Sequence, residues 1–95
     1  MIRVLRHSIQ VIEYAKRLAP EPRRAIKRGL AELSCERGDI RALEANLSGY
    51  YRLRVGRHRI IFSYAADGAI ETIFIEERQL VYELFEAQFI KRLKG

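Results

Sequence analysis

The chain of 95 residues carries 18 Lys and Arg against 12 Asp and Glu, a formal net charge of +6, and 48% of its residues are hydrophobic. This length predicts one domain, residues 1–95, with a modest core, and the apolar content excludes wholesale disorder. No apolar run approaches the roughly 20 residues that cross a bilayer, and the basic balance favours nucleic acid or an acidic protein as the partner rather than a membrane.

Several common site types are missing from the sequence. It has no Gly-rich phosphate loop, no HExxH motif and no cysteine pair, so neither a metal nor a cofactor is expected. Cys35 is the one cysteine, which excludes an internal disulfide and favours a reducing compartment. Residues 1–8 lack an apolar stretch of signal-peptide length. We therefore expect a cytoplasmic protein.

The N-terminal third of the chain predicts a strand followed by two helices. Residues 2–6 alternate as a short strand does, and Ser8 follows as a candidate helix N-cap. Apolar residues at helical spacing then predict a first helix that Pro20 ends, because the residue before a proline avoids the α region. A second helix is expected to begin near Pro22 and to end at Gly38 in the C′ position.

The second helix displays four basic residues within about two turns: Arg23, Arg24, Lys27 and Arg28. Two interpretations stay open for them. They form either a solvated helix face or, together with Arg57, one wall of an RNA-binding groove.

The centre of the chain predicts a β-hairpin rich in arginine. Residues 39–48 are expected to form a connection with a helical turn around Ala42. The stretch GYYRLRVGRHRIIFSY that follows alternates as two strands do, except at Gly56-Arg57, which suits a type II′ turn. This turn places Arg54 directly opposite Arg59, with Arg52 on the same face.

The arginine cluster (Arg52, Arg54 and Arg59) is unfavourable unless something neutralises it. Like charges opposed across two strands destabilise by a few tenths of a kcal/mol up to about 1 kcal/mol, and arginine cannot relieve this by losing its proton. The pattern is therefore typical of a site for a phosphate chain or an acidic partner. The alternative is that the three side chains point into water.

Asp67-Gly68 predicts a second two-residue hairpin turn. The resulting pairs are Ala66 with Ala69, Phe62 with Ile73, Ile61 with Phe74, and Arg59 with Glu76. Ile73 is thereby expected on the core face. A carboxylate beside Arg59 would partly neutralise the cluster.

Residues 80–94 carry a helix-like apolar stripe with Tyr82 near its start. If RNA is cut, arginine cannot act as the general base, so Tyr82, Glu76, Glu77 and His58 are the candidates to help a ribose 2′-hydroxyl attack, unless positioning alone suffices. Tyr82 either stacks on a base and orients that hydroxyl or packs on the sheet edge. His58 is expected to point to the core side, and His7 is interpreted as an incidental surface residue.

Two segments resemble the RelE/ParE superfamily of bacterial toxins from type II toxin–antitoxin systems. Residues 47–62, LSGYYRLRVGRHRIIF, are similar to the family signature L-x-G-x-x-R-L-R-x-G-x-x-R-I-x-F/Y, and residues 75–82, IEERQLVY, more weakly resemble V-G-H-R-x-x-V-Y. The resemblance spans nearly the whole chain. It implies an α+β fold of order β-α-α-β-β-β, in which a helical hairpin packs on one face of a mainly antiparallel sheet and a helical tail follows.

The resemblance implies a ribosome-dependent mRNA endoribonuclease that needs no metal or cofactor. The positions that match the family's catalytic residues are Arg52, Arg54, Arg59, Arg78 and Tyr82. The first two would handle RNA phosphate or assist proton transfer, the next two would support the scissile phosphate, and the tyrosine would lie at the attacking hydroxyl or stack on a base.

The implied partners are mRNA on the ribosome, a cognate acidic antitoxin and, through the antitoxin, operator DNA. We expect an acidic antitoxin segment to cover the arginine face, with Ile61 and Phe74 as its apolar floor. Glu76 and Glu77 stand where the family more often has Gly and His or Lys. Two alternatives therefore stay open, a ParE-like toxin that inhibits DNA gyrase and a catalytically inactive homologue that acts as a binding module.

Overall fold

Five strands form one sheet in the computed structural model, which describes residues 2–77, 80–85 and 87. The elements in chain order are β1 (Leu5–His7), α1 (Ile9–Arg17), α2 (Pro20–Ser34), β2 (Asp39–Ala42), β3 (Tyr51–Val55), β4 (His58–Tyr64), β5 (Ile70–Glu77) and α3 (Leu80–Phe85). The strand order is β1-β5-β4-β3-β2, with β1 parallel to β5 and the other pairs antiparallel. The predicted α+β architecture is confirmed, with β2 as an additional strand.

Apolar side chains cover both faces of the sheet. The larger cluster lies between the sheet and the helices α1 and α2, and its buried members are Val11, Ile26, Leu33, Leu53, Ile60, Phe62, Ile70 and Ile75. The smaller cluster lies on the opposite face, and its buried members are Leu47, Ile61, Phe74 and Phe85. None of the helices in the described part of the chain has the length and apolarity that crossing a membrane requires.

Side chains at the start of α1 bond the backbone groups of β5 that lie beyond the end of β1. Ser8 caps the helix as predicted, because its Oγ accepts from the Val11 N–H group at 3.2 Å and donates to the Ile73 carbonyl at 2.6 Å. The Gln10 side chain donates to the Ile75 carbonyl and accepts from the Ile75 N–H group, both at 2.8 Å. Side chains thus satisfy backbone groups that a neighbouring strand would otherwise pair.

Helix α2 is shifted from its predicted bounds. It begins at Pro20, two residues early, and ends at Ser34 instead of continuing to Gly38. The left-handed C′ residue is Glu36, with a φ of 57°, and its N–H group donates to the Leu33 carbonyl at 2.7 Å. This is the geometry of a Schellman motif, in which glycine is the commoner residue.

Tertiary contacts explain why a glutamate occupies this left-handed position. The Glu36 carboxylate lies 3.2 Å from Arg3 Nε and accepts from the Tyr64 hydroxyl at 3.1 Å. Arg3 also donates to the Gly68 carbonyl at 2.7 Å, and its guanidinium carbon lies 5.3 Å from the Tyr64 ring centroid. The contacts join the N-terminus, the end of α2 and the β4–β5 turn.

Residues 39–48 contain strand β2 and a 3₁₀ turn at Ala45–Leu47, so the prediction of a connection with a helical turn around Ala42 is wrong. Ile40 packs against the helix-side core, while Asp39 and Arg41 lie on the other face. One inward apolar residue between two charged ones is too short a pattern to predict a strand on its own.

The turn between β4 and β5 is one residue longer than predicted. The Gly68 N–H group donates to the Ala65 carbonyl at 2.9 Å, and Gly68 takes a φ of 89°. These features fit a type I turn followed by a left-handed glycine. The Ala65 N–H group consequently bonds the Ala69 carbonyl at 2.8 Å, in place of the predicted Ala66 pairing.

This extra residue shifts the β4–β5 pairing until a β-bulge restores it. Phe62 lies opposite Thr72, and the register returns at Ile61 because Ile73 is the unpaired residue. Ile73 packs against the smaller cluster, so its predicted place on the core face is wrong. Thr72 is buried instead, with its hydroxyl oxygen 2.6 Å from Nδ1 of His7. The two pairings beyond the bulge are confirmed: Ile61 with Phe74, and Arg59 with Glu76.

Helix α2 packs closely against β3 at Gly29, a residue that the sequence pattern does not single out. A methyl group on Gly29 would lie 2.6 Å from Cγ2 of Val55. No ordinary contact between carbon atoms is so short, so the absence of a side chain permits this packing distance.

We expect Gly29→Ala to lower the free energy of unfolding by about 1–3 kcal/mol, because overpacking outweighs the gain of about 1 kcal/mol in helix propensity. In a Val55→Ala background, where the obstructing methyl groups are gone, the same change should be neutral or stabilising. Urea denaturation of the four proteins measures both effects. An equal cost in the two backgrounds would contradict the packing explanation.

Candidate anion-binding site

The sheet face away from α1 and α2 carries two rows of side chains across the strands. From β2 to β5 the first row is Asp39, Arg54, Arg59 and Glu76, and the second row is Arg41, Arg52, Ile61 and Phe74. The predicted opposition of Arg54 and Arg59 is confirmed. Two guanidinium groups therefore occupy the centre of the first row, and one carboxylate stands at each end.

The β3–β4 turn fixes this register. Gly56 has a φ of 61°, and among the described residues other than glycine only Glu36 and Ala45 have a positive φ. Arg57 is therefore not left-handed, which agrees with the predicted type II′ turn. A slip by one residue would move the apolar residues of β3 from the core to the opposite face.

Arg54 and Arg59 converge on the turn itself. Arg59 Nη1 donates to the Gly56 carbonyl at 3.1 Å and to the His58 carbonyl at 3.3 Å, and Arg54 Nε approaches the Gly56 carbonyl at 3.5 Å. Arg54 is exposed and Arg59 is half-buried. Within residues 2–77, 80–85 and 87, no carboxylate forms an ion pair with either of them.

Asp39, at one end of the first row, is paired with a different arginine. Its carboxylate lies 3.2 Å from Arg52 Nη1, which also donates to the Asp39 carbonyl at 3.1 Å. Arg52 is only 7% exposed. These contacts join β2 to β3 and favour a structural role for Arg52 over the predicted contact with RNA.

Glu76, at the other end, does not neutralise Arg59. The two residues face each other in register, as predicted, but no ion pair between them forms in the described structure. Glu76 lines a cavity of about 360 Å³ together with Tyr14 of α1. Burial, followed by the charges of Glu76 and Glu77, raises the pKa of Tyr14 to about 12.

His58 lies on the helix side of the hairpin, as predicted. Its ring is buried, meets the Tyr14 ring edge-on at a centroid distance of 5.6 Å, and has Nε2 3.9 Å from Glu77 Oε1. That separation is too long for a hydrogen bond. Burial lowers the pKa of His58, and the nearby Glu77 carboxylate opposes this shift.

Helix α3 brings Tyr82 to the same sheet face as the arginines. Tyr82 is half-buried and packs against the smaller apolar cluster, which includes the Arg52 neighbour Ile61. Arg78, the remaining predicted catalytic residue, lies outside the described residues.

The expected apolar floor for an antitoxin is not exposed. Ile61 is 0% and Phe74 is 2% exposed, because both pack against Phe85 of α3, whose ring centroid is 6.3 Å from that of Phe74. The prediction that these two residues form an open groove is therefore wrong. Helix α3 covers them.

One member of the predicted RNA-binding set has a structural role. Arg23 donates to three carbonyls at the end of α1: Ala15 at 3.2 Å, Lys16 at 2.9 Å and Leu18 at 2.9 Å. It thereby satisfies acceptors that a helix end leaves open, which a sequence pattern cannot reveal.

The other basic residues of the set stay exposed. Arg24, Lys27 and Arg28 share one stripe of α2, and Arg57 lies at the hairpin tip. Their contact with RNA stays a prediction. Arg41 is a further exposed cation, opposite Arg52 on the same face, and the only sequence signal for it is the alternation of Asp39, Ile40 and Arg41.

The chain matches no protein-family model and no curated protein, but solved structures share its fold. It is similar over 82% of its length to a chain of the toxin–antitoxin complex RelBE2 from Mycobacterium tuberculosis, which is covered completely, with 18% identity and a TM-score of 0.72. It is also similar over 83% of its length to 98% of a chain of the archaeal RelE–RelB complex from Pyrococcus horikoshii, with 24% identity and a TM-score of 0.68.

A third structure extends this likeness to another complex. A chain of the YoeB–YefM complex from Staphylococcus aureus is 21% identical, with a TM-score of 0.65, and the match covers 82% of this chain and 99% of that one. The protein therefore has the fold of RelE-like toxins, as the sequence resemblance predicts.

The buried imidazole generates a prediction about pH. A histidine whose pKa falls below its ordinary value of about 6.5 on folding binds fewer protons in the folded than in the unfolded protein. Stability should therefore decrease as the pH falls from 6.5 through the folded pKa. His7, whose pKa burial also lowers, contributes with the same sign.

Titration of the imidazole NMR signals should give an apparent pKa below 6.5 for His58. Urea denaturation between pH 8 and pH 5 should show decreasing stability, with a smaller decrease in His58→Gln. His7→Gln is the control, because it removes only the contribution of His7 to the pH dependence of stability. A His58 that titrates at or above 6.5 would contradict the assigned burial effect.

Proposed function

We propose that this protein is the toxin of a type II toxin–antitoxin system, that it cleaves mRNA on the ribosome, and that a cognate acidic antitoxin holds it inactive. One observation carries the proposal: Arg54 and Arg59 are opposed on neighbouring strands, converge on one carbonyl and have no ion-pair partner in the described residues. The RelE-like fold supports this assignment.

The arginine pair suits a scissile phosphate. Guanidinium groups bind phosphate oxygens through paired hydrogen bonds and stabilise the charge that develops on them during phosphoryl transfer. The anion would take donors that Arg54 and Arg59 now direct to the Gly56 carbonyl. It would also relieve their mutual repulsion.

The RNA itself supplies the nucleophile in this mechanism. The 2′-oxygen bonds to the adjacent phosphorus as the bond from phosphorus to the 5′-oxygen breaks, which leaves a 2′,3′-cyclic phosphate. The proton of the 2′-hydroxyl passes to a base, and the departing 5′-oxygen gains a proton. Since arginine cannot accept a proton at neutral pH, the pair acts by charge and position. Tyr82, on the same face, is the residue proposed to orient the hydroxyl or stack on a base, and Arg78 is proposed to support the phosphate.

The positions of the two unusual glutamates favour an active enzyme over an inactive homologue. Carboxylates beside an RNA phosphate would be unfavourable. In the structure, however, Glu76 lines a cavity with Tyr14, and Glu77 lies by His58 on the helix side. Glu77 therefore lies on the other side of the sheet from the phosphate site, and Glu76, beside Arg59 in register, forms no ion pair with it in the described residues.

The antitoxin is proposed to bind through charge at the arginine face. The similar solved structures are complexes of toxins with antitoxins, which motivates this partner. With Ile61 and Phe74 buried, the available groups are Arg41, Arg54 and Arg59. Acidic side chains on the partner would speed association and compete with RNA for the same guanidinium groups. Operator DNA would be reached through the antitoxin.

We expect Arg54→Ala and Arg59→Ala each to reduce mRNA cleavage by roughly 100-fold or more, the usual cost of removing a group that stabilises developing charge. Cleavage is measured by primer extension on mRNA in purified translating ribosomes. Arg37→Ala is the control, because Arg37 is exposed and outside the cluster. Circular dichroism verifies that each variant is folded.

Full cleavage by both folded variants would contradict the proposed role of the arginine pair. Growth arrest without any mRNA cleavage, accompanied by inhibition of DNA gyrase in a supercoiling assay, would instead support the ParE-like alternative.

A further inference from the structure

The base that takes the proton of the 2′-hydroxyl has to lie on the arginine face of the sheet. It must come within hydrogen-bond reach of that hydroxyl, and therefore close to the phosphate on Arg54 and Arg59. Two of the candidate bases, His58 and Glu77, have their side chains on the helix side instead. Tyr82 is on the arginine face, but a tyrosine hydroxyl is protonated at neutral pH and is suited to orient rather than to accept.

Two carboxylates share the row of Arg54 and Arg59, and only one of them is available. Asp39 forms an ion pair with Arg52 at 3.2 Å. Glu76 stands at the other end of the row, directly opposite Arg59. Within residues 2–77, 80–85 and 87 it forms no ion pair, and its side chain is half-buried at the wall of a cavity, so a ligand can reach it.

The sheet register brings Glu76 close to the proposed phosphate site. Residues directly opposite each other on antiparallel strands have Cβ atoms about 4.5–5.5 Å apart. In RNA the attacking 2′-oxygen is on the carbon next to the one that carries the scissile phosphate. With this phosphate on Arg59, a side chain of the length of glutamate on the neighbouring strand can reach the hydroxyl.

Tyr14 of α1 gives the Glu76 side chain a polar neighbour in the free protein. Both residues line the cavity of about 360 Å³. Burial, followed by the charges of nearby carboxylates, raises the pKa of Tyr14 to about 12. The Tyr14 hydroxyl is therefore protonated at neutral pH and serves as a donor to an ionised carboxylate, the form that a base must have.

We propose that Glu76 is the general base of the cleavage. Its carboxylate takes the proton of the 2′-hydroxyl while the 2′-oxygen bonds to phosphorus and the bond from phosphorus to the 5′-oxygen breaks. Water gives a proton to the departing 5′-oxygen, and Glu76 later releases its own proton to water. The inference rests on the proposed cleavage of mRNA and adds the residue that accepts the proton. Faster proton transfer then offsets the cost of a carboxylate beside the phosphate.

Glu76→Gln tests this role, because it keeps the size of the side chain and removes the base. We expect kcat for cleavage of ribosome-bound mRNA to fall by about 100-fold or more, since a general base contributes roughly 10²–10⁴-fold. KM should stay equal or fall, because a negative charge near the phosphate is gone. Glu71→Gln, which alters a carboxylate on the same strand that is 46% exposed and outside the row, should keep full activity.

Chemical rescue separates a base from a carboxylate that only stabilises the fold. Glu76→Ala leaves room for a small carboxylate ion, so sodium formate should raise its cleavage rate in proportion to the formate concentration. Glu76→Gln should not respond, because its amide fills the space. Sodium chloride at equal ionic strength is the control, since salt alone weakens binding to RNA. Circular dichroism verifies that each variant is folded.

The outcomes distinguish this inference from the proposed function. Full cleavage by folded Glu76→Gln, or no gain of Glu76→Ala in formate over chloride, would overturn the role of Glu76. The nuclease assignment would still stand if Arg54→Ala and Arg59→Ala lose cleavage. If the wild-type protein cuts no mRNA, the proposed function fails and the inference fails with it.

Discussion

The repulsion between Arg54 and Arg59 is the constraint around which this sheet is arranged. Leu53 and Ile60 must face the helix-side core, and the Gly56 turn permits only one register, so the two arginines are held opposite each other. Neither can lose its charge at ordinary pH. The apolar pattern thus imposes a local cost on the isolated protein, and a bound anion is the natural way to remove it.

The neighbouring carboxylates do not neutralise the positive charge of Arg54 and Arg59 in the described residues. The buried Arg52 forms an ion pair with the Asp39 carboxylate and a hydrogen bond with the Asp39 carbonyl, and these contacts join β2 to β3. Glu77 lies on the helix side, and after burial the charges of Glu76 and Glu77 raise the pKa of Tyr14 to about 12. The carboxylates that could neutralise Arg54 and Arg59 are thus nearby in the sheet, but Asp39 pairs with Arg52, and Glu76 and Glu77 interact with Tyr14. This separation is why a phosphate or an acidic partner can compete for the pair.

Sequence periodicity predicted the arginine hairpin fully because a two-residue turn and alternating apolar residues specify the same register. The β4–β5 pairing is not predictable from alternation alone near the turn, because the longer turn at Gly68 and the bulge at Ile73 shift the register in opposite senses. Only the pairs beyond the bulge agree with the simple prediction.

Tertiary contacts account for the other differences between sequence and structure. A helix rich in basic residues does not reveal that Arg23 caps the preceding helix, because its three acceptors lie five to eight positions earlier in the chain. Likewise, alternation placed Ile61 and Phe74 on the arginine face correctly, but could not show that Phe85 covers them. Packing of α3 onto the sheet buries these two apolar residues.

A double-mutant cycle on Arg54 and Arg59 tests the central claim most directly. The free energies of unfolding of the wild type, Arg54→Gln, Arg59→Gln and the double variant would be compared at fixed low ionic strength, with and without inorganic tripolyphosphate. The account predicts an unfavourable coupling of a few tenths of a kcal/mol up to about 1 kcal/mol without the anion, and a favourable coupling with it. A coupling that is zero or favourable in the anion-free buffer would contradict it.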